Sequence, residues 1–98
     1  MFGDMMGKLK EMQQKTEEVK KRLENVSVEA EVEGVKVVAN GNKKITSIII
    51  DDSLMIDADK EQIEDLTLAA VNRVLEKAEK VNEAEMQGIA KGMLPGMM

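Results

Sequence analysis

Acidic residues gather between positions 51 and 65 of the chain. They are Asp51, Asp52, Asp57, Asp59, Glu61, Glu64 and Asp65. Grouped carboxylates can bind a divalent cation or act as an acid and base pair. This group lacks the Asp-x-Asp-x-Asp-Gly loop of calcium sites, and no apolar pocket that would separate two pKa values is visible. Stabilisation of a helix N-terminus explains it more simply. The sequence therefore predicts neither a metal site nor a catalytic pair.

Basic residues recur along the first 25 positions at spacings that suit phosphate binding. The set is Lys8, Lys15, Lys20, Lys21 and Arg22. On a helix, Lys8, Lys15 and Arg22 share one column, and we place the other two lysines beside it, which predicts one basic or neutral face. The same residues also allow three i,i+4 pairs: Glu11 with Lys15, Glu17 with Lys21, and Glu18 with Arg22. A solvated helix surface with ordinary ion pairs is therefore an open alternative.

A second basic set is predicted on a later helix. Arg73, Lys77 and Lys80 fall along one edge of its apolar stripe, while the glutamates of the same segment lie further round towards solvent. A solvated helix face is again the alternative interpretation. Two basic strips on two helices favour phosphate contact more than either strip does alone.

The composition excludes most other chemistry. The chain has 98 residues, no cysteine, no histidine and one aromatic residue, Phe2. It therefore lacks thiol and imidazole nucleophiles, zinc ligands of the Cys/His type, and rings on which single-stranded nucleic acid could stack its bases. No glycine-rich phosphate loop occurs. We expect a protein that is not an enzyme and has no cofactor.

Charge and hydropathy limit the partners and the location. The chain has 14 basic and 19 acidic residues, a net charge of −5, so bulk positive charge cannot hold nucleic acid. Any grip on phosphates must come from basic residues segregated on one surface. No apolar run suits a signal peptide or a membrane span. We expect a cytoplasmic protein with no membrane partner.

The first basic set lies on a segment, Asp4 to Asn25, whose apolar residues recur at steps of four and three. This seam is Met5, Leu9, Met12, Thr16, Val19, Leu23 and Val26, with Thr16 filling the one gap. A heptad seam is narrower than the stripe of a helix on a globular core. It predicts a helix that pairs with another helix.

A β-hairpin is predicted after this helix. Residues 26–33 alternate strictly between apolar and polar side chains, and residues 35–40 form a second β-branched run. A two-residue turn at Glu33-Gly34 would place Glu31 opposite Lys36 as a cross-strand pair.

A third strand follows the turn signal Asn40-Gly41. Its run, KITSIIID, is apolar on both faces, with Ile45 and Ile49 pointing one way and Ile48 and Ile50 the other. The pattern predicts a strand that is buried on both sides.

The second basic set lies on a longer helix. Asp59 followed by Gln62 fits a capping box that opens a helix, and the chain from Asp51 to Asp59 is predicted to turn. Apolar residues at steps of three and four run from Ile63 to Val81, so the helix should reach Ala84 or beyond.

Several motifs resemble the YbaB/EbfC family of bacterial nucleoid-associated proteins. They are the Asn40-Gly41 turn, Ile50-Asp51 followed by Ser53-Leu54, the triplets Ala70-Val71-Asn72 and Lys77-Ala78-Glu79, and the final LPGM. The resemblance implies a homodimer built through the sheet region, with long helices that project like tweezers and bind duplex DNA. It further implies that the DNA contacts lie on these helices, where the two basic sets are.

We therefore expect an α+β protein with the order helix, three-stranded antiparallel sheet, long helix, assembled as a dimer with projecting helices. Residues 1–92 should form one domain and residues 93–98 a flexible, Met-rich tail. The expected function is binding of double-stranded DNA in the nucleoid, mainly through phosphate contacts. The expected contact residues are Lys8, Lys15, Lys20, Lys21, Arg22, Arg73, Lys77 and Lys80.

Two alternatives need no direct DNA contact. Met-rich helix ends beside a β-hairpin are typical of prefoldin-like holdases, which bind non-native clients. An acidic surface would suit a protein-interaction adaptor that docks a basic DNA-repair or recombination protein. The activity of a holdase would be unaffected by loss of the lysines.

Overall fold

The computed structural model of the chain describes residues 2–93, with side chains described for residues 6–89. Its elements are α1 (Phe2–Glu24), β1 (Ser27–Val32), β2 (Val35–Asn40), β3 (Ile45–Ile50), α2 (Asp52–Asp57) and α3 (Lys60–Met93). Their order confirms the predicted α+β class of helix, three-stranded antiparallel sheet and long helix. The tail predicted at 93–98 begins at the last residue of α3, and residues 94–98 lie outside the described part.

The β1–β2 hairpin forms in the predicted register. Glu31 lies opposite Lys36, although the Lys36 ammonium makes its ion pair with the diagonal neighbour Glu29 at 3.1 Å. The turn places Glu33 at φ 45° and Gly34 at φ 97°. Both values lie in the left-handed region that a two-residue turn requires, which is why glycine suits the second position.

The faces of β3 differ from the prediction. A β-bulge opposite β2 leaves Thr46 as the extra residue, so Ile45, Ile48 and Ile50 all pair with β2 residues of the inner face. Only Ile49 points to the outer face among these isoleucines. The prediction that Ile45 shares a face with Ile49 is wrong, because strict alternation does not hold across a bulge.

Burial of β3 on both sides is also wrong for the single chain. Ile48 on the inner face is 48% exposed, and Ile49 on the outer face is 51% exposed. The cause is the position of α3, which packs across β1 and β2. The inner face of β3 is left partly uncovered.

A short helix, α2, occupies most of the segment where a turn is predicted. Leu54 of α2 packs against the core, whereas its apolar neighbours Met55 and Ile56 are exposed, a difference that the sequence alone does not reveal. The backbone N–H of Gln62 donates to Oδ1 of Asp59 at 2.8 Å, which confirms the predicted N-cap. Helix α3 then continues through Gly88 to Met93, beyond the predicted minimum at Ala84.

The core lies between α3 and the inner face of the sheet. Its buried residues are Ala30, Val35, Val37, Ala39, Ala70 and Val74. Alanines at the helix contact allow α3 to approach the strands closely. This contact fixes one long edge of α3 beside β1 and the other beside β3.

Helix α1 packs antiparallel to the last turns of α3, and we call α1 together with residues 82–93 the arm. Val19 and Leu23 of the predicted seam are buried there, whereas Leu9 and Met12 are 58% and 40% exposed. The chain measures 67 × 23 × 17 Å, and its radius of gyration of 19.1 Å exceeds the roughly 13 Å of a compact domain of this length. None of the described helices is long and apolar enough to span a membrane.

Candidate nucleic-acid interface

The α3 basic strip, Arg73, Lys77 and Lys80, lies along the edge of α3 next to β1. Lys77 fixes this placement, because its ammonium donates to the backbone oxygen of Glu29 in β1 at 2.9 Å. Arg73 and Lys80 are exposed and have no hydrogen-bond or ion-pair partner among the described residues. The strip therefore offers two unpaired cations beside one that also holds the helix to the sheet.

The opposite edge of α3 is apolar. Helical spacing places Leu68, Val71 and Leu75 there, roughly 180° around the axis from the basic strip. Val71 and Leu75 are partly buried against the core, whereas Leu68 is exposed. One helix therefore presents a basic edge on the β1 side of the sheet and an apolar edge on the β3 side.

The α1 basic column, Lys8, Lys15 and Arg22, lies on one flank of the α1 seam. Lys15 and Arg22 line a groove between the two helices of the arm, together with Ile89 of α3. Arg22 is already paired there, because its guanidinium forms an ion pair with the carboxylate of Glu85. Lys8 is exposed, further along the same flank.

The other two lysines of α1 do not join this column. Lys20 lines a different groove, on the far side of the seam, with Leu9 and Met12. Lys15 and Lys20 are separated by about 140° around the helix, with the seam between them, and Lys21 lies on the back of the helix. The prediction of one continuous basic face is therefore wrong, because positions on the two flanks of a heptad seam point to opposite sides.

The alternative interpretation of α1 as a surface of i,i+4 pairs also fails at two positions. Glu17 and Lys21 form no ion pair, and Arg22 pairs with Glu85 rather than with Glu18. An i,i+4 ion pair forms elsewhere in the chain, between Lys60 and Glu64 at 3.9 Å. Among the described residues, Lys21 is exposed and has no ion-pair partner, whereas Arg22 is already paired with Glu85.

Two basic residues that helical periodicity misses lie at the base of the arm. Lys43 and Lys44 follow the Asn40-Gly41 turn, in the β2–β3 loop, and both are exposed. The loop touches α1, because the Asn42 side-chain amide donates to the backbone oxygen of Lys20 at 2.8 Å. The sequence feature that could have identified them is a pair of consecutive lysines after a turn. This pair lies outside the helices, so rules of helical spacing do not apply to it.

The acidic cluster lies at the other end of the molecule, around α2 and the first turns of α3. Asp59 caps α3, and Asp51 accepts a hydrogen bond from the Ser53 hydroxyl at 3.1 Å. Within the described residues, no three acidic side chains come together in a group that could hold a metal ion. The cluster therefore lies outside both basic sets, although the arm has glutamates of its own, such as Glu85.

Comparisons with known proteins agree along nearly the whole chain. The model of the YbaB/EbfC DNA-binding family matches residues 1–93. A nucleoid-associated protein of Flavobacterium johnsoniae is 47% identical over 95% of this chain and 88% of its own length. One from Thermoanaerobacter sp. is 44% identical over 91% of this chain and 86% of its own length. The crystal structure of an uncharacterized Helicobacter pylori protein shares the fold, with a TM-score of 0.65 and 23% identity over 88% of this chain and 98% of that chain.

Proposed function

Because this chain belongs to the YbaB/EbfC DNA-binding family, we propose that it binds duplex DNA as a homodimer, mainly through phosphate contacts from basic residues on its projecting helices. Its relatives are named nucleoid-associated proteins, and we extend that location in the nucleoid to this chain. The observation that carries the proposal is the pair of unpaired cations, Arg73 and Lys80, on one edge of α3 in a chain of net charge −5.

The α3 basic strip and the α1 basic column are the proposed contact surfaces. Their members are mostly lysines, which bind phosphate as point charges and carry little base recognition. The groove between the two helices of the arm, as far as the structure describes it, is lined by no aromatic or amide side chain that would read base edges. Affinity should therefore depend strongly on salt and weakly on DNA sequence.

The homodimer is proposed to form on the β3 side of the sheet. Lys77 caps one carbonyl on the outer edge of β1, while β3 is the opposite edge of the sheet and presents Ile48 to solvent. Exposed Leu68 of α3 lies on the same side of the sheet as Ile48, and exposed Met55 and Ile56 follow β3 in α2. A second copy would remove this apolar surface from water, which favours association.

The DNA-binding proposal is tested by fluorescence anisotropy of two unrelated labelled duplexes at about 50 and 150 mM salt. If four to eight phosphates are engaged per dimer, the log-log slope of affinity against salt should lie between about −4 and −7 for both duplexes. The R73Q/K80Q variant should flatten that slope by about 2 to 4. The matched control K10Q/K60Q loses the same charge outside the proposed surfaces and should retain more of the slope and affinity.

Failure of the wild-type protein to bind at 50 mM salt would contradict the proposal. It would favour the adaptor or holdase alternative, for which one observation exists in the structure. The exposed part of the α1 seam, Leu9 and Met12, lines an open groove suited to an apolar protein segment.

The dimer is tested separately by light scattering on a sizing column. The mass measured for the wild-type protein should be twice the 10.9 kDa of one chain. Ile48→Glu places a carboxylate in the proposed interface and should yield a monomer, with far-UV circular dichroism showing that helix content is retained. Leu9→Glu makes the same change at an exposed apolar position on the arm and should remain dimeric. A monomeric wild type would exclude the dimer.

A further inference from the structure

The β2–β3 loop presents two cations that the proposed contact surfaces do not include. Lys43 and Lys44 are exposed, and neither side chain has a hydrogen-bond or ion-pair partner within the part of the chain that the structure describes. Glu24 lines a recess with Lys44, and Glu17 lines a groove with Lys20, so the local balance is three cations to two carboxylates. In an acidic protein, this is a local positive excess at the base of the arm.

The backbone of this loop is internally fixed. The Asn40 side chain is buried, and its Oδ1 accepts hydrogen bonds from the backbone N–H groups of Asn42 at 2.9 Å and Lys44 at 3.2 Å. Backbone bonds between Asn40 and Lys44 (2.9 Å) and between Lys43 and Asn40 (3.1 Å) close the turn. Lys43 is held at φ 67°, a conformation that a free chain rarely adopts and that these bonds maintain.

The loop is also tied to both helices of the arm. Asn42 bonds to the backbone oxygen of Lys20 in α1, and the Asn82 side chain of α3 donates to the backbone oxygen of Gly41 at 3.2 Å. The backbone N–H of Gly41 lies 2.9 Å from the backbone oxygen of Leu23, which accepts its hydrogen bond. The two lysines therefore stand at a fixed place beside Lys20, and only their side chains need to be ordered by a ligand.

We propose that Lys43 and Lys44, together with Lys20 of α1, form a phosphate-binding site at the base of the arm that contacts the backbone of bound duplex DNA. This inference rests on the proposed DNA-binding function and adds a site on the opposite flank of α1 from Arg22. Preorganisation supports it, because a rigid loop avoids the cost of ordering its backbone when a phosphate binds. The proposed site also assigns a function to Lys20, which is not a member of the α1 basic column.

The test compares K43Q/K44Q with K10Q/K60Q, which loses the same charge at exposed positions far from this loop. Anisotropy of a fluorescein-labelled duplex is measured from about 50 to 200 mM salt. K43Q/K44Q should flatten the log-log slope by about 2 for each protomer engaged, and should weaken binding more than the control does. Equal slopes and affinities for the two variants, with wild-type binding intact, would overturn this site alone. Absence of wild-type binding would overturn the proposed function and this site with it.

Asn42→Ala tests the rigid placement without changing charge. It removes the amide that joins the loop to α1, so the loop backbone must also be ordered on binding, and affinity should fall about two- to tenfold with an unchanged salt slope. Far-UV circular dichroism and the dimer mass confirm that the variant is folded. Wild-type affinity in a folded Asn42→Ala protein would overturn the argument from preorganisation.

Discussion

The ion pair between Arg22 and Glu85 links the two helices of the arm, and its removal by Glu85→Gln should strengthen DNA binding. The side chains are 59% and 38% exposed, so the pair is solvated and contributes about 0–1 kcal/mol to the free energy of unfolding. Glutamine keeps the size of the side chain and a carbonyl acceptor. We therefore expect a loss of stability of less than about 1 kcal/mol, measured by chemical denaturation followed by circular dichroism.

The effect on DNA binding should be larger than the effect on stability. Freeing one guanidinium for a phosphate steepens the log-log salt slope by about 0.9. When salt is lowered from about 1 M to about 0.1 M, the affinity of the variant then rises about 8-fold more than that of the wild type. If both protomers of the proposed dimer gain the contact, the limit is about 60-fold. A gain larger than that of a variant with the same loss of charge elsewhere follows only if Arg22 is held back by Glu85 in the unbound protein.

The assay is anisotropy of a labelled duplex, because the protein has neither tryptophan nor tyrosine to report binding. The matched control is Glu79→Gln, which makes the same change of charge at an exposed glutamate of the same helix that has no ion-pair partner among the described residues. Glu85→Gln should bind more tightly than this control and with a steeper slope. Equal binding by the two variants would refute the reasoning, since general reduction of negative charge would then explain the gain.

Three further predictions concern stability. Gly41→Ala would place a methyl group 2.7 Å from a methyl carbon of the buried Leu23 and 3.1 Å from its backbone oxygen. The substitution should therefore lower the free energy of unfolding by about 1–3 kcal/mol. Full stability of the variant would contradict the packing described at the base of the arm. Gly88→Ala meets nothing within 4 Å and lies within α3, so it should stabilise the protein by up to about 1 kcal/mol, visible as a raised Tm. Asp59→Ala removes the N-cap of α3 and should cost about 1 kcal/mol in denaturant unfolding, whereas Asp57→Ala, two positions earlier, should cost less.

Local patterns in the sequence were sufficient for most of the fold. Alternation in residues 26–33 and a two-residue turn fixed the hairpin register, and Asp59 with Gln62 located the start of α3. The faces of β3 could not be predicted, because the bulge at Thr46 depends on pairing with β2 rather than on the order of the isoleucines. Their exposure depends in turn on where α3 crosses the sheet.

The types of residue in the candidate site could be predicted from the sequence, but their arrangement could be predicted only in part. Arg73, Lys77 and Lys80 lie on one edge of α3 as their spacing requires, but the bond from Lys77 to the edge of β1 is a tertiary contact that no spacing reveals. The prediction placed Lys20 on the wrong side of α1. Lys20 and the basic column both lie next to the seam, but they are on its opposite flanks and point in different directions. The position of the loop lysines depends on hydrogen bonds of Asn40, Asn42 and Asn82. Two of these asparagines bond to residues that are distant in the sequence, and no local pattern reveals such bonds.

The bond between Lys77 and Glu29 has a consequence for assembly size. A sheet with two open edges can add copies without end, and fibres grow in this way. Here the ammonium of Lys77 caps one carbonyl on the β1 border of the sheet, whereas the β3 border has no such cap among the described residues. If two copies pair through the β3 border, as proposed above, the cap on the β1 border disfavours the addition of a third copy there.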